Sequence, residues 1–115
     1  MTAPAPYVPE RGDVAWLDFT PQAGHEQAGR RPALVLSPAS YNRKSGMMLC
    51  CPTTNQAKGY PFEVPVAAAT GTVTGVVLAD QVRCLDWKSR NAVKFATVTT
   101  QCSINVSAKV KLLLP

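Results

Sequence analysis

Histidine occurs once in this chain, as His25, and acidic residues number only seven. A single imidazole rules out acid–base catalysis by a histidine pair. The carboxylates are scattered rather than clustered, which argues against a site holding catalytic metal ions. The four cysteines, Cys50, Cys51, Cys84 and Cys102, form no C-x-x-C pair, and His25 is not spaced as a zinc partner. They read as reduced, mostly packed thiols of a reducing compartment, with the adjacent Cys50 and Cys51 on opposite faces of a strand. No apolar run approaches the eighteen or so residues of a membrane-spanning helix. The opening stretch Met1–Pro6 lacks the basic and apolar regions of a secretory signal. The expectation is therefore a cytoplasmic chain, with residues 1–8 as a short tail and 9–115 as one domain.

What is present is an apolar content of 46% in 115 residues and a net charge of +5. That length and content suffice for a buried core without staples. The basic residues fall in groups: Arg30-Arg31, Arg43-Lys44, Lys58, and Arg83, Lys88, Arg90 and Lys94. Such a domain is drawn to polyanions. Nucleic acid and an acidic protein partner fit equally well, and the last group also reads as a solvated face.

Short β-type runs separated by glycine and proline turns dominate the chain. They are Val14–Phe19, Pro32–Ser37, Met47–Cys51, Phe62–Val66, Val76–Ala79, Gln81–Leu85 and Lys94–Val98. Pro32–Ser37 is apolar enough to be buried on both faces, and Pro65 makes its own run an edge strand. Ser37-Pro38 is a helix start with serine as cap, followed by only a short turn because 42–46 reads as a break. Residues 70–75 read as a polar turn. From Thr99 to Leu114 the spacing of Ile104, Ala108 and Leu112 predicts a helix, capped by Thr99 or Thr100. The pattern argues for a mainly β chain, a small β-barrel with one closing helix, without repeats or a linker.

One segment concentrates charge. Gly24-His25-Glu26-Gln27-Ala28-Gly29-Arg30-Arg31-Pro32 is a glycine-bracketed loop running into the strand Ala33-Leu34-Val35-Leu36. A loop anchored by proline and a buried strand suits presentation of guanidinium groups to an anion such as phosphate. The same residues also read as a hairpin loop with solvated charges.

Arg11-Gly12-Asp13-Val14-Ala15-Trp16 and Glu26–Ser37, through Arg31-Pro32, resemble the N-terminal signature of the MazF/PemK toxins of bacterial toxin–antitoxin pairs. The resemblance continues through Tyr41-Asn42, Pro52-Thr53-Thr54, Lys58-Gly59-Tyr60-Pro61-Phe62-Glu63-Val64 and Leu78-Ala79-Asp80-Gln81-Val82, in order. It implies an SH3-like barrel with helical insertions, a homodimer, and metal-independent, cofactor-free cleavage of single-stranded RNA at short motifs. It also implies neutralisation by an antitoxin whose acidic tail occupies the RNA groove. Arg31 and Thr54 match the family's catalytic arginine and threonine, and Glu26 matches a further carboxylate. Asp80 and Gln81 match a segment lining the RNA cleft, and Gln56 and Lys58 match the loop beside it. Ser103, Asn105 and Ser107 depart from the pattern by replacing stronger helix formers.

The chemistry open to such a site is attack by the RNA's own 2′-hydroxyl on the adjacent phosphorus, which needs positioning and charge stabilisation but no protein nucleophile. Arg31 would bind the phosphate oxygens and Thr54 would donate to them. Glu26 and His25 compete as general base. Taken alone, Thr54 also reads as a hydroxyl bonding its own backbone, Asp80-Gln81 as a polar kink and Lys58 as a solvated turn residue. Phe19, beside the loop, is the aromatic placed to stack a base, whereas Trp16 and Trp87 read as packing residues. Two non-enzymatic readings compete: a toxin of the same barrel that binds DNA gyrase, and an SH3-like interaction module.

Overall fold

Asp13–Asp18 (β1) starts after a tight turn in which the Asp13 N–H donates to the Glu10 carbonyl at 3.0 Å. The computed structural model describes residues 7–19 and 29–115 of the chain. The remaining elements are Arg30–Val35 (β2), Ala39–Ser45 (α1), Met47–Thr54 (β3), Glu63–Pro65 (β4), Ala68–Gly71 (β5), Val76–Leu78 (β6), a 3₁₀ turn at Ala79–Gln81, Arg83–Asp86 (β7), Val93–Val98 (β8) and Thr100–Lys111 (α2).

All strand pairs are antiparallel, in the order β4-β6-β3-β2-β1-β8-β5, with β7 also paired to β3. Among the described residues the fold is mainly β with two α-helices, as expected. The barrel needs correction, however. Among the described residues the strand path ends at β4 on one side and β5 on the other, so the curled sheet is not closed. β5 itself falls partly where a polar turn was expected.

Both faces of the central strands are buried, and alternation explains how. In β2, Leu34 belongs to one cluster with Val14, Cys51, Val77 and Val98, which α2 covers through Cys102 and Val106. Ala33 and Val35 belong to a second cluster with Leu17, Met48, Cys50, Leu85 and Trp87. Cys50 and Cys51 thus do lie on opposite faces. Each large core side chain, such as Leu34, contributes about 2 kcal/mol by leaving water.

Both helices differ in detail from the sequence reading. α1 runs through Asn42 to Ser45 and stops at Gly46, whose φ of 73° few other residues adopt. The expected break fails because Asn42 is fully buried, its Nδ2 donating to the carbonyls of Pro9 at 2.8 Å and Ser37 at 3.0 Å. Ser37 does not cap: its hydroxyl donates to Asn42 Oδ1 at 2.6 Å and accepts from the Leu49 N–H. α2 is capped by Thr99, which accepts from the Cys102 N–H at 3.1 Å. Its buried side is Cys102, Ser103 and Val106, while Ile104 and Leu112 on the line at helical spacing are exposed.

β3 carries the arrangement that matters for the site. Its eight residues pair with β7 at Met47–Cys50, with β2 at Cys50–Pro52 and with β6 at Thr53–Thr54. The strand therefore extends past Pro52, three residues beyond its expected end. Ala33 lies opposite Pro52, so two further residues along each antiparallel strand bring Arg31 to the level of Thr54.

Candidate RNA-cleaving cleft

Arg31 and Thr54 line one cleft of about 230 Å³, together with Gln56, Lys58, Asp80 and Gln81. Six of the residues singled out in the sequence therefore converge. Arg31 opens β2 and is solvent-exposed; Thr54 ends β3 and is half-buried. The Thr54 hydroxyl accepts the Gln56 N–H at 3.1 Å. Its oxygen is engaged by backbone, which leaves the O–H proton to point elsewhere. The backbone-bonding role and a donor role are therefore compatible.

Asp80 and Gln81 sit on the 3₁₀ turn, anchored by buried Ala79, whose N–H donates to the Phe62 carbonyl at 3.0 Å. Lys58 lies in the loop between β3 and β4, and that loop is organised by a residue the sequence reading passed over. The Glu63 carboxylate accepts the N–H groups of Lys58, at 3.0 Å, and Gly59, at 2.9 Å. Glu63, Tyr60 and Leu78 complete the lining. A carboxylate a few residues beyond the Lys58-Gly59 turn was the available signal. The lining thus balances two cations, Arg31 and Lys58, with two acids, Glu63 and Asp80, so charge is placed rather than uniformly basic.

Glu26, and with it His25, lies outside the described residues. Phe19 is not part of the cleft: it packs against the second core cluster, with the Arg83 guanidinium 5.7 Å from its ring centroid. Trp87 is core, donating its indole N–H to the Asn42 carbonyl at 2.9 Å. Trp16 is not. It is 38% exposed, stacks on Phe95 at 4.8 Å, and lines a second hollow of about 260 Å³ that reaches Thr53 and Thr54. Sequence alone reads any tryptophan in a β run as packing, yet Trp16, on a central strand between Pro32 and Val93, is exposed while its neighbours Ala15 and Leu17 are buried.

Of the thiols, Cys50, Cys51 and Cys102 are buried and Cys84 is exposed. Among the described residues no three metal-ligating side chains converge, and no helix is long and apolar enough to cross a membrane.

Comparison with known proteins agrees with this geometry. The chain is 50% identical over 108 residues to the endoribonuclease toxin MazF of Escherichia coli K12, covering 94% of this chain and 96% of the relative. It superposes on the crystal structure of MazF (Form-I) from Deinococcus radiodurans with a TM-score of 0.83 at 57% identity, covering 95% and 98% of the two chains. The MazE–MazF (Form-II) structure from the same organism matches with a TM-score of 0.82 at 50% identity, covering 95% and 97%. The profile of the PemK-like, MazF-like toxins of type II toxin–antitoxin systems matches residues 10–114. That span takes in all the strands and helices among the described residues and the whole described cleft, and the chain belongs to this family.

Proposed function

We propose that the chain is an endoribonuclease toxin of a type II toxin–antitoxin pair, cutting single-stranded RNA at short sequence motifs without a metal or cofactor. The observation that carries the reading is the meeting of Arg31 and Thr54 in one cleft, in a chain half identical to an endoribonuclease toxin. The 2′-oxygen bonds to the adjacent phosphorus as the phosphorus–5′-oxygen bond breaks. The departing 5′-oxygen takes a proton from water, so a 2′,3′-cyclic phosphate and a 5′-hydroxyl result. Arg31 binds the non-bridging oxygens bidentately and stabilises the added charge, an electrostatic role. The Thr54 O–H donates to the same oxygens. Glu26 accepts the 2′-hydroxyl proton, and His25 is the rival base. DNA lacks the attacking group and remains uncut.

Gln56, Lys58, Asp80 and Gln81 contact the flanking nucleotides; Phe19, packed against the core away from the cleft, is not given the stacking role. A second copy pairs with the first as a homodimer, and exposed Ile104 and Leu112 offer it apolar surface. The partner is an antitoxin whose acidic tail competes with RNA for Arg31 and Lys58; the MazE–MazF structure supports this reading. The site of action is the cytoplasm. No observation favours the gyrase-binding alternative.

The test is incubation of unstructured RNA with the protein in EDTA, followed by sequencing of the new 5′ ends. Wild type yields cuts at a short motif with 5′-hydroxyl ends. Arg31→Ala and Thr54→Ala each lose about a hundredfold or more in rate, corresponding to about 3 kcal/mol for one oxyanion donor. Full activity of Arg31→Ala ends the mechanism, and intact RNA with wild type ends the enzymatic reading. Glu26→Ala and His25→Ala, on the same oligonucleotide, decide the base.

A further inference from the structure

Arg30 and Arg31 are neighbours with unlike environments. Strand alternation turns their side chains to opposite faces. Arg31 lines the cleft, while Arg30 donates through Nη1 to Asp18 Oδ1 at 2.9 Å, across the β1–β2 pair in which these two residues are register partners. Arg30 Nη2 donates to the Asn91 carbonyl at 2.9 Å, and Asn91 Nδ2 donates to Asp18 Oδ2 at 2.8 Å, closing a triangle. Asn91 has a φ of 55°, a conformation asparagine tolerates better than most residues. Beside it, Arg90 donates to the carbonyls of Asp18, at 2.9 Å, and Phe19, at 3.0 Å, and accepts the Asp18 N–H at 2.9 Å.

This end of β2 has reason to need a lock. Pro32 brings no N–H to the ladder, and strand ends fray. A slip of one residue would carry the Arg31 guanidinium to the face away from Thr54. The geometry points to Asp18, Arg30 and Asn91 as positioning residues for Arg31, their triangle pinning the β1–β2 register so that the next guanidinium faces Thr54. This inference rests on the role proposed for Arg31 above.

The competing role for Arg30 is that of a surface cation attracting RNA, and kinetics separates the two. Under the positioning role, Arg30→Gln and Asp18→Ala each lower kcat about tenfold or more and leave KM within about twofold, because a displaced group costs rate rather than binding. Combining Asp18→Arg with Arg30→Asp restores most of the kcat. If instead Arg30→Gln raises KM alone, Asp18→Ala lowers it, and the charge swap restores nothing, the inference is overturned. Amide hydrogen exchange supplies a readout without RNA: protection of the residue 31 and 33 amides falls in Arg30→Gln, and unchanged protection overturns the lock. If the wild type leaves RNA intact while protection still falls in Arg30→Gln, the proposed function is refuted and the lock is not.

Discussion

The Glu63 carboxylate holds the backbone of Lys58, accepting its N–H through both oxygens at 3.2 and 3.0 Å. With the Gly59 N–H also bound, one acid orders the loop that delivers a cation to the cleft. Glu63→Ala frees this loop, so ordering it then falls to substrate binding. The expected result is a KM roughly three- to tenfold higher with kcat little changed, measured on a short oligonucleotide. An unchanged KM would mean the loop orders itself.

Gly75 backs the other side of β3. Its φ is 95°, and a Cβ there would overlap the Thr54 carbonyl. Gly75→Ala combines backbone strain with displacement of the strand end, which together cost about 2 kcal/mol or more. Urea unfolding should report that loss, and RNA cleavage should fall beyond it because Thr54 moves with its backbone. A variant as stable and active as wild type would show that β6 can shift freely.

Asn42 offers a test remote from the cleft. Three side-chain hydrogen bonds, with Pro9, Ser37 and the Ser37 hydroxyl, meet at this fully buried amide. Asn42→Ala leaves those partners unpaired in the interior, which destabilises by about 3 kcal/mol. The midpoint of urea unfolding should drop accordingly, with an unchanged slope. A drop under 1 kcal/mol would mean that water replaces the amide.

The same residue shows what the sequence could and could not carry. An asparagine ahead of Arg-Lys-Ser-Gly reads as a breaker, because local propensity knows nothing of the Pro9 carbonyl waiting for its amide. α2 was legible as a helix from spacing and a threonine cap, but its buried face was not. Cys102, Ser103 and Val106 are small and partly polar, whereas the conspicuous Ile104 and Leu112 face outward. Strand positions were legible from glycine and proline punctuation; sheet closure was not, since it depends on pairing between distant edges. For the cleft, resemblance singled out Arg31, Thr54, Gln56, Lys58, Asp80 and Gln81. Their convergence depends on the β2–β3 register, which no local pattern encodes. Glu63 carries little site signal in the sequence because its partners are the backbone amides of Lys58 and Gly59, which no residue pattern displays.

Alkaline pH tests the buried thiols. Burial pushes Cys50 and Cys51 each up to about 12 from an ordinary thiol value near 9. Burial first, and then the hydrogen bond to Asp13, raises the Tyr7 hydroxyl as well. A raised folded-state value means the unfolded chain releases its proton first as pH climbs. The contribution is therefore complete below about pH 9 and is lost between there and pH 12, by about 1.4 kcal/mol per pH unit for each thiol. Unfolding free energy should accordingly fall steeply above pH 9, and Cys50→Val should flatten the slope while shifting the neutral-pH value little. Below pH 9 iodoacetamide should modify exposed Cys84 alone. Rapid modification of Cys50 or Cys51 at neutral pH, or a stability flat from pH 9 to 12, would show that the sheet opens and lets water reach both core faces.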